Sequence, residues 1–203
     1  MPYLLIIFSY LLGSIPFGLL FSKWSGLGDI RNVGSGNIGA TNVLRTGNKR
    51  IAMLTLLCDA LKGAIPVIIV HKYYAPDSAA NWIETSIALA PVLGHVFPIW
   101  LCFKGGKGVA TAAGVYFALN PWLGGLTLFA WLIMAKVFRI SSLSALAASA
   151  LSPLIAYYLC HWTMTTLVYN TLFIAILILH THRENIKRIL SGNESKIVMP
   201  PKN

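Results

Sequence analysis

The sequence predicts an all-α integral membrane protein with seven transmembrane helices, some of them short, its N-terminus periplasmic and its C-terminus cytoplasmic. Three observations carry this expectation. Charge is scarce: 11 % of the 203 residues are Asp, Glu, Lys or Arg, where a soluble domain carries about 25 %, and the mean hydropathy is +0.69. Uncharged runs are long, at Tyr3–Ser22, Thr85–Phe103, Val109–Ala135 and Ile140–Thr181, and roughly 20 apolar residues cross a bilayer. The basic residues, finally, fall in segments that one topology places on a single side.

The elements follow in order. Tyr3–Ser22 reads as a first span and not a cleaved leader, because no Lys or Arg precedes it and no small-residue cleavage site follows. Ile51–Val70 is a second span, interrupted by Asp59 and Lys62. Thr85–Phe103 is a third, with His95 roughly 12 Å from its cytoplasmic end by helical rise. Ile140–Thr181 would be about 63 Å long as one helix, so it must be two spans, turning near Cys160-His161-Trp162.

Val109–Ala135 is decided by charge. As one helix it leaves seven basic residues inside and eight outside. If the chain turns at Asn120-Pro121, then Lys136, Arg139, Arg183, Lys187, Arg188, Lys196 and Lys202 join Lys23, Arg31, Arg45, Lys49, Arg50, Lys104 and Lys107 on the cytoplasmic side. Lys72 alone stays outside, and the split is favoured by the positive-inside rule. The fourth helix is then only about 18 Å long, with non-helical backbone around Gly105–Gly108 expected to fill the remainder. The whole chain, 1–203, reads as a single polytopic domain whose motif loops, 23–50, 104–111, 136–142 and 182–203, all face the cytoplasm.

Several function classes are set aside. The net charge of +10 is accounted for by membrane topology, with no nucleic acid called for. Cys58, Cys102 and Cys160 lie inside apolar runs and read as packing residues without a disulfide or metal role. No HExxH, Gly-x-Ser-x-Gly or His-x-x-x-x-Asp occurs, and no cytoplasmic carboxylate cluster is present to hold a metal.

The first loop contains Gly34-Ser35-Gly36-Asn37-Ile38-Gly39, a literal G-x-G-x-x-G. A dinucleotide fold needs a preceding strand and a βαβ unit; here a membrane helix precedes. The same glycines let successive backbone N–H groups turn toward one concavity and hold an anion. Ser35, Asn37, Thr41 and Asn42 add neutral donors and Arg45 a bidentate clamp. The bland alternative is a polar connector, but 28 residues from Lys23 to Arg50 is long for one.

In "FKGGKGVAT", Lys104 and Lys107 flank two glycines at the membrane edge, as an anion site or a positive-inside anchor. Asp59 and Lys62 are three apart and can meet on one helical face, as a self-neutralised pair or as a site lining. His95 reads either as a packing residue or as a functional one. The tail "HTHRENIKRIL" suits an interfacial helix on anionic lipid, which leaves His182 and Asn185 unexplained.

Together "GSIPFG", "RNVGSGNIGATNVLR", "LGHVFPIWLCFKGGKGVAT" and "HRENIKRIL" resemble, in that order, the bacterial acyl-phosphate-dependent glycerol-3-phosphate acyltransferases (the PlsY family). The resemblance covers nearly the whole chain. It implies an enzyme of the bacterial inner membrane that moves an acyl group from acyl phosphate to the 1-hydroxyl of sn-glycerol 3-phosphate. The products are lysophosphatidic acid and phosphate, and no cofactor is used. The missing His-x-x-x-x-Asp agrees, because that motif belongs to thioester-using acyltransferases.

By motif, the resemblance assigns catalysis to Ser35, Arg45, Lys104, His182 and Asn185. It assigns substrate binding to Gly34, Gly36, Asn37, Gly39, Ala40, Thr41, Asn42 and Lys107, and to Ser142 with Ser141 as its competitor. Implied partners are the two substrates, the lipid bilayer and the enzyme that produces the acyl phosphate. Acyl phosphate is a mixed anhydride with a good leaving group, so direct attack by the glycerol hydroxyl is expected over a Ser35 acyl-enzyme, since Ser35 has no evident base. The proton passes to the leaving phosphate or to His182. A transporter of organic phosphates is the alternative; it would usually put charges near the midplane and show repeat halves, whereas here the charged motifs crowd one face and no internal repeat is found.

Overall fold

The computed structural model describes residues 2–73 and 81–197. These residues form helices joined by turns, with no strand among them. Lys202 and the end of the 182–203 segment lie outside the described residues.

The first apolar run is two helices where one was expected. Helix α1, Pro2–Gly13, and helix α2, Phe17–Trp24, meet at a bend of 42°. The break falls at Ser14-Ile15-Pro16, where proline supplies no N–H to continue the ladder. A short polar stretch then leads through a 3-10 turn at Ile30–Asn32 into the five-residue helix α3, Ala40–Leu44. Helix α4, Lys49–Tyr73, is the longest at 25 residues. Helix α5, Asn81–Val96, stops well before Phe103 because Pro98 follows, and a 3-10 turn at Ile99–Leu101 replaces its last turns. His95 therefore sits one residue from the end of its helix, directly beneath the Gly105–Gly108 segment, and not 12 Å inside it.

Helix α6, Val109–Leu119, and helix α7, Pro121–Phe138, divide where the sequence places the turn. Asn120 caps α7, its side-chain oxygen accepting from Trp122 N and Leu123 N at 2.9 and 3.1 Å, with Pro121 in the first position that tolerates it. A Cβ on Gly124 would stand 2.8 Å from Phe117 Cα. Residues seven apart in one helix are about 10.5 Å apart, so the chain has doubled back.

Helix α8, Ser141–Leu159, and helix α9, Thr166–Thr181, share a turn in which His161 and Trp162 take positive φ. Trp162 there stacks edge-on with Tyr157 and Tyr158, an interfacial aromatic grouping. Helix α10, Arg183–Leu190, follows α9 almost without a break. The 136–142 segment is barely a loop: only Arg139 and Ile140 separate α7 from α8.

Among the described residues four helices are long and apolar enough to cross a membrane, α1 with α2 makes a fifth as a bent pair, and α6 and α9 are shorter apolar helices. Small residues draw them together. Gly13 and Gly94 lie against the backbones of Pro91 and Tyr10 where α1 crosses α5, and Gly63 and Gly114 against Thr111 and Ala60 where α4 crosses α6. Such approaches are how membrane helices gain packing when lipid removes the hydrophobic drive. Val67, Val92, Val115, Tyr116, Ile174 and Ile178 fill the shared interior. Helix α7, with Trp122, Phe129 and Leu132 exposed, is the least covered of the four long helices, as a lipid-facing helix should be.

Candidate active site

Three segments meet where α3, α6, α8 and α10 begin or end. In the first, Asn42 is 2 % exposed and uses its whole side-chain amide on the loop. Its Nδ2 donates to the carbonyls of Ile30 and Val33 at 2.8 and 2.9 Å, and its Oδ1 accepts from Ser35 N at 2.9 Å and Ser35 Oγ at 3.2 Å. An amide has two donors and one acceptor oxygen, so Asn42 shapes the loop and has no hydrogen left for a ligand. Gly34 and Gly36 adopt positive φ, the alternation an anion nest needs. Ser35 is exposed, and its hydroxyl meets the Asn42 amide, which is no base.

Asn37 and Gly39 line the way into α3, with Gly39 as its N-cap. The first amides of α3, at Ala40 and Thr41, have no acceptor within the helix. Thr41 Oγ1 lies 3.1 Å from Ser141 Oγ. Arg45 closes α3 and donates from Nη2 to Ser195 Oγ at 2.5 Å. Gly34 is required by two constraints at once: φ is +57°, and a Cβ would stand 2.6 Å from Asn42 Oδ1 and 2.8 Å from Arg45 Cδ. Gly34→Ala is therefore expected to displace Arg45 and cut kcat/KM by roughly 100-fold, since misplacing a binding group by about 1 Å costs that much. Steady-state kinetics on the purified variant measures it.

In the second segment Gly105 N and Gly106 N donate to the carbonyls of Val96 and His95, both at 3.0 Å. This folds the chain back over the end of α5. Lys104 is exposed and its ammonium makes no hydrogen bond or ion pair among the described residues. Lys107 points inward and donates to Asn185 Oδ1, while its carbonyl accepts from Thr181 Oγ1 at 3.2 Å. Burial, opposed by the Glu194 charge, lowers the Lys107 ammonium to about 8.

The third segment holds His182 and Asn185, both buried, at the joint of α9 and α10. His182 Nδ1 donates to the Ile178 carbonyl at 2.8 Å, which leaves Nε2 as the acceptor. Burial and then the nearby Lys107 charge depress its pKa to about 4, so the ring is neutral at physiological pH. Asn185 donates from Nδ2 to Glu194 Oε1 at 2.6 Å.

Glu194 is the residue sequence reasoning missed. Its side chain is 5 % exposed. It accepts from Ser142 Oγ at 2.7 Å, from Asn185, and from Arg188 Nε at 2.6 Å. Burial raises its pKa, but these three donors and the Arg188 charge outweigh that and hold it below its usual value. Ser142 thus spends its one proton on Glu194, and Ser141 is the serine that reaches the glycine loop. The available signal was compositional: Glu194 is one of six acidic residues against sixteen basic ones, set in a basic tail.

The structure joins Lys107, Asn185, Glu194, Ser142 and Arg188 into one hydrogen-bonded network, with Arg45 tied to the residue after Glu194. It does not bring Lys104 or Asn37 into contact with that network. One carboxylate among Arg45, Lys104, Lys107 and Arg188 leaves an excess of positive charge, suited to phosphate dianions.

A family model described as Glycerol-3-phosphate acyltransferase matches residues 3–192. The chain belongs to this family. It is 46 % identical over 200 residues to the glycerol-3-phosphate acyltransferase of Erythrobacter litoralis (strain HTCC2594), covering 98 % of this chain and 97 % of that one. It is 51 % identical to that of Sinorhizobium fredii (strain NBRC 101917 / NGR234), covering 96 % and 91 %. Among solved structures, PlsY (YgiH), an integral membrane glycerol 3-phosphate acyltransferase, in its glycerol 3-phosphate form superposes with a TM-score of 0.89 at 41 % identity, covering 97 % of this chain and 96 % of that one. Its lysophosphatidic acid form gives 0.87 at 38 % identity, covering 98 % and 96 %. This glycerol-3-phosphate acyltransferase is therefore an integral membrane enzyme, and the transporter alternative is set aside.

Proposed function

We propose that the enzyme transfers an acyl group from acyl phosphate to the 1-hydroxyl of sn-glycerol 3-phosphate, releasing lysophosphatidic acid and phosphate. The observation that carries this reading is the network in which Lys107 meets Asn185 and Asn185 meets Glu194, with Arg45 of the glycine loop tied to the neighbouring Ser195. The 1–203 chain acts as one domain in the bacterial inner membrane. The four long helices, the bent pair and the two short helices make seven spans, with the N-terminus periplasmic and the motif segments at the cytoplasmic face. The acyl-phosphate-producing enzyme is the donor's source and a natural partner.

The amides of Gly34–Thr41 with Ser35 and Asn37 hold the acyl phosphate. Arg45 and Lys104 clamp the phosphate of glycerol phosphate, with Lys107 beside them. The hydroxyl oxygen attacks the acyl carbon, the bond from that carbon to the phosphate oxygen breaks, and phosphate leaves. The enzyme contributes positioning and fixed positive charge where oxyanions develop. A neutral His182 with pKa about 4 is a weak base, so it serves best by accepting a hydrogen bond that orients the hydroxyl, while the leaving phosphate takes the proton.

A pH dependence follows. Lys107 binds anions only while charged, so kcat/KM is expected to fall as pH rises through about 8. In Lys107→Arg, whose guanidinium stays protonated, that limb is expected to move above pH 9. Because His182 is already neutral above about 4, it contributes no limb between pH 5 and 8. A profile of purified enzyme from pH 5 to 10 measures both.

The reaction itself is tested with detergent-purified protein, labelled glycerol 3-phosphate and palmitoyl phosphate, palmitoyl-CoA or acyl carrier protein as donor. Lysophosphatidic acid from palmitoyl phosphate alone supports the reading. Product only from the thioesters overturns the donor assignment.

A further inference from the structure

Beneath the site lies a cluster that the mechanism above does not use. Asp59 and Lys62 on α4 and His95 at the end of α5 are each at most 4 % exposed. Lys62 Nζ is 2.8 Å from Asp59 Oδ1, and His95 Nδ1 is 3.6 Å from the same oxygen. Burying an ion pair is costly, and apolar residues of similar volume often serve stability as well or better. Stability alone is thus a weak reason for it, and ionisable groups within a membrane are functional candidates by default.

The contacts leaving the cluster point upward to both glycine loops. Lys62 Nζ donates to the Ile15 carbonyl at 2.8 Å, in the break between α1 and α2, and stands 5.6 Å over the Phe17 ring. Phe17 opens α2. The next residue, Gly18, lies so close to the Ile38 carbonyl that a Cβ would overlap it, and Leu19 packs with Ile30, Ile38 and Val43 around the first loop. On the other branch, the His95 carbonyl accepts from Gly106 N at 3.0 Å, and a Cβ on Gly106 would fall on His95 Nε2. The imidazole is therefore the floor of the Gly105–Gly108 segment, which contains Lys107 and follows Lys104 directly. Gly63 and Gly114, next to Lys62 and across from Ala60, lock α4 onto α6 at the same depth.

We propose that Asp59, Lys62 and His95 form one buried brace that sets the positions of both phosphate loops, which makes them positioning residues for acyl transfer. A pair present only to cancel its own charge has no need to reach the α1–α2 break on one side and the glycine segment on the other. The proposal rests on the reading of the two loops as phosphate holders. Lys62 acts through α2 on the acyl-phosphate loop, His95 acts directly on the glycerol-phosphate loop, and Asp59 holds the two together.

The test is kinetic, with both substrates varied on purified enzyme and folding followed by thermal melting. Asp59→Asn/Lys62→Met removes the ions at nearly constant volume. It is expected to fold while raising KM for both palmitoyl phosphate and glycerol 3-phosphate by roughly 10-fold or more, as loop displacement does. His95→Ala is expected to raise the glycerol 3-phosphate KM by roughly 10-fold and leave the palmitoyl phosphate KM within about twofold. A folded double variant with wild-type KM values, or a His95→Ala enzyme that loses thermal stability with an unchanged KM ratio, overturns the proposal.

Should the double variant fail to fold, a cycle with Gly106→Ala decides. A methyl group there and the His95 ring compete for one space, so the effects of Gly106→Ala and His95→Ala on KM are expected not to multiply. Independent multiplication overturns the proposal. Arg45→Lys separates the two levels. If it leaves the glycerol 3-phosphate KM unchanged, the loop assignment itself is at fault; if it raises that KM while the brace variants do not, only the brace is.

Discussion

Arg45→Lys is expected to raise the KM for glycerol 3-phosphate by about 10- to 100-fold, on the scale of losing one or two hydrogen bonds to a charged group at roughly 1.5–3 kcal/mol each. The charge survives the change but the planar fork does not. Arg45 stands at the end of α3 with its stem across Gly34 and its Nη2 2.5 Å from Ser195 Oγ. A lysine there supplies a point charge that neither covers Gly34 nor offers two parallel donors to phosphate. Loss expressed mainly in KM identifies an interaction made alike in the ground and transition states; equal loss in kcat identifies one made only in the transition state. Near-normal kinetics defeats the clamp assignment.

Glu194→Gln is expected to lower activity by at least ~100-fold and to lower the melting temperature as well, because a buried polar network left partly unsatisfied costs more than its parts. The carboxylate presents only acceptors, and three donors from Ser142, Asn185 and Arg188 are arranged around it. A carboxamide must aim its NH2 at one of those donors. The displaced Asn185 also carries the Lys107 contact, so the error reaches the anion site. Thermal melting with kinetics on the same preparation measures both effects, and wild-type values for both contradict the role of Glu194 as the shared acceptor of this network.

The difference between these two residues marks what the sequence could disclose. The nearness of Arg45 to the glycine loop was legible because it lies within a dozen positions of Gly34, against which its side chain packs. The helices were legible for the same reason: charge-free length and the Asn120-Pro121 pair are short-range signals, and Asn120 caps α7 with its own side chain. Glu194 meets Ser142 across 52 residues and Arg45 meets Ser195 across 150; no spacing rule reaches that far. An Asn beside glycines reads as a donor to substrate, yet the Asn42 hydrogens go to the Ile30 and Val33 carbonyls. The type of residue was informative there, and its direction was not. The bend after Gly13 was hidden inside an uncharged apolar run, with Pro16 as a local cue.

One site is expected to hold both phosphates together and to pass the acyl group directly, without a serine ester. Initial rates measured over a grid of palmitoyl phosphate and glycerol 3-phosphate concentrations test this most directly. Direct transfer requires double-reciprocal lines that intersect, the pattern of a complex containing both substrates. Parallel lines, the ping-pong pattern of a covalent intermediate, would contradict it and move Ser35 from phosphate ligand to nucleophile.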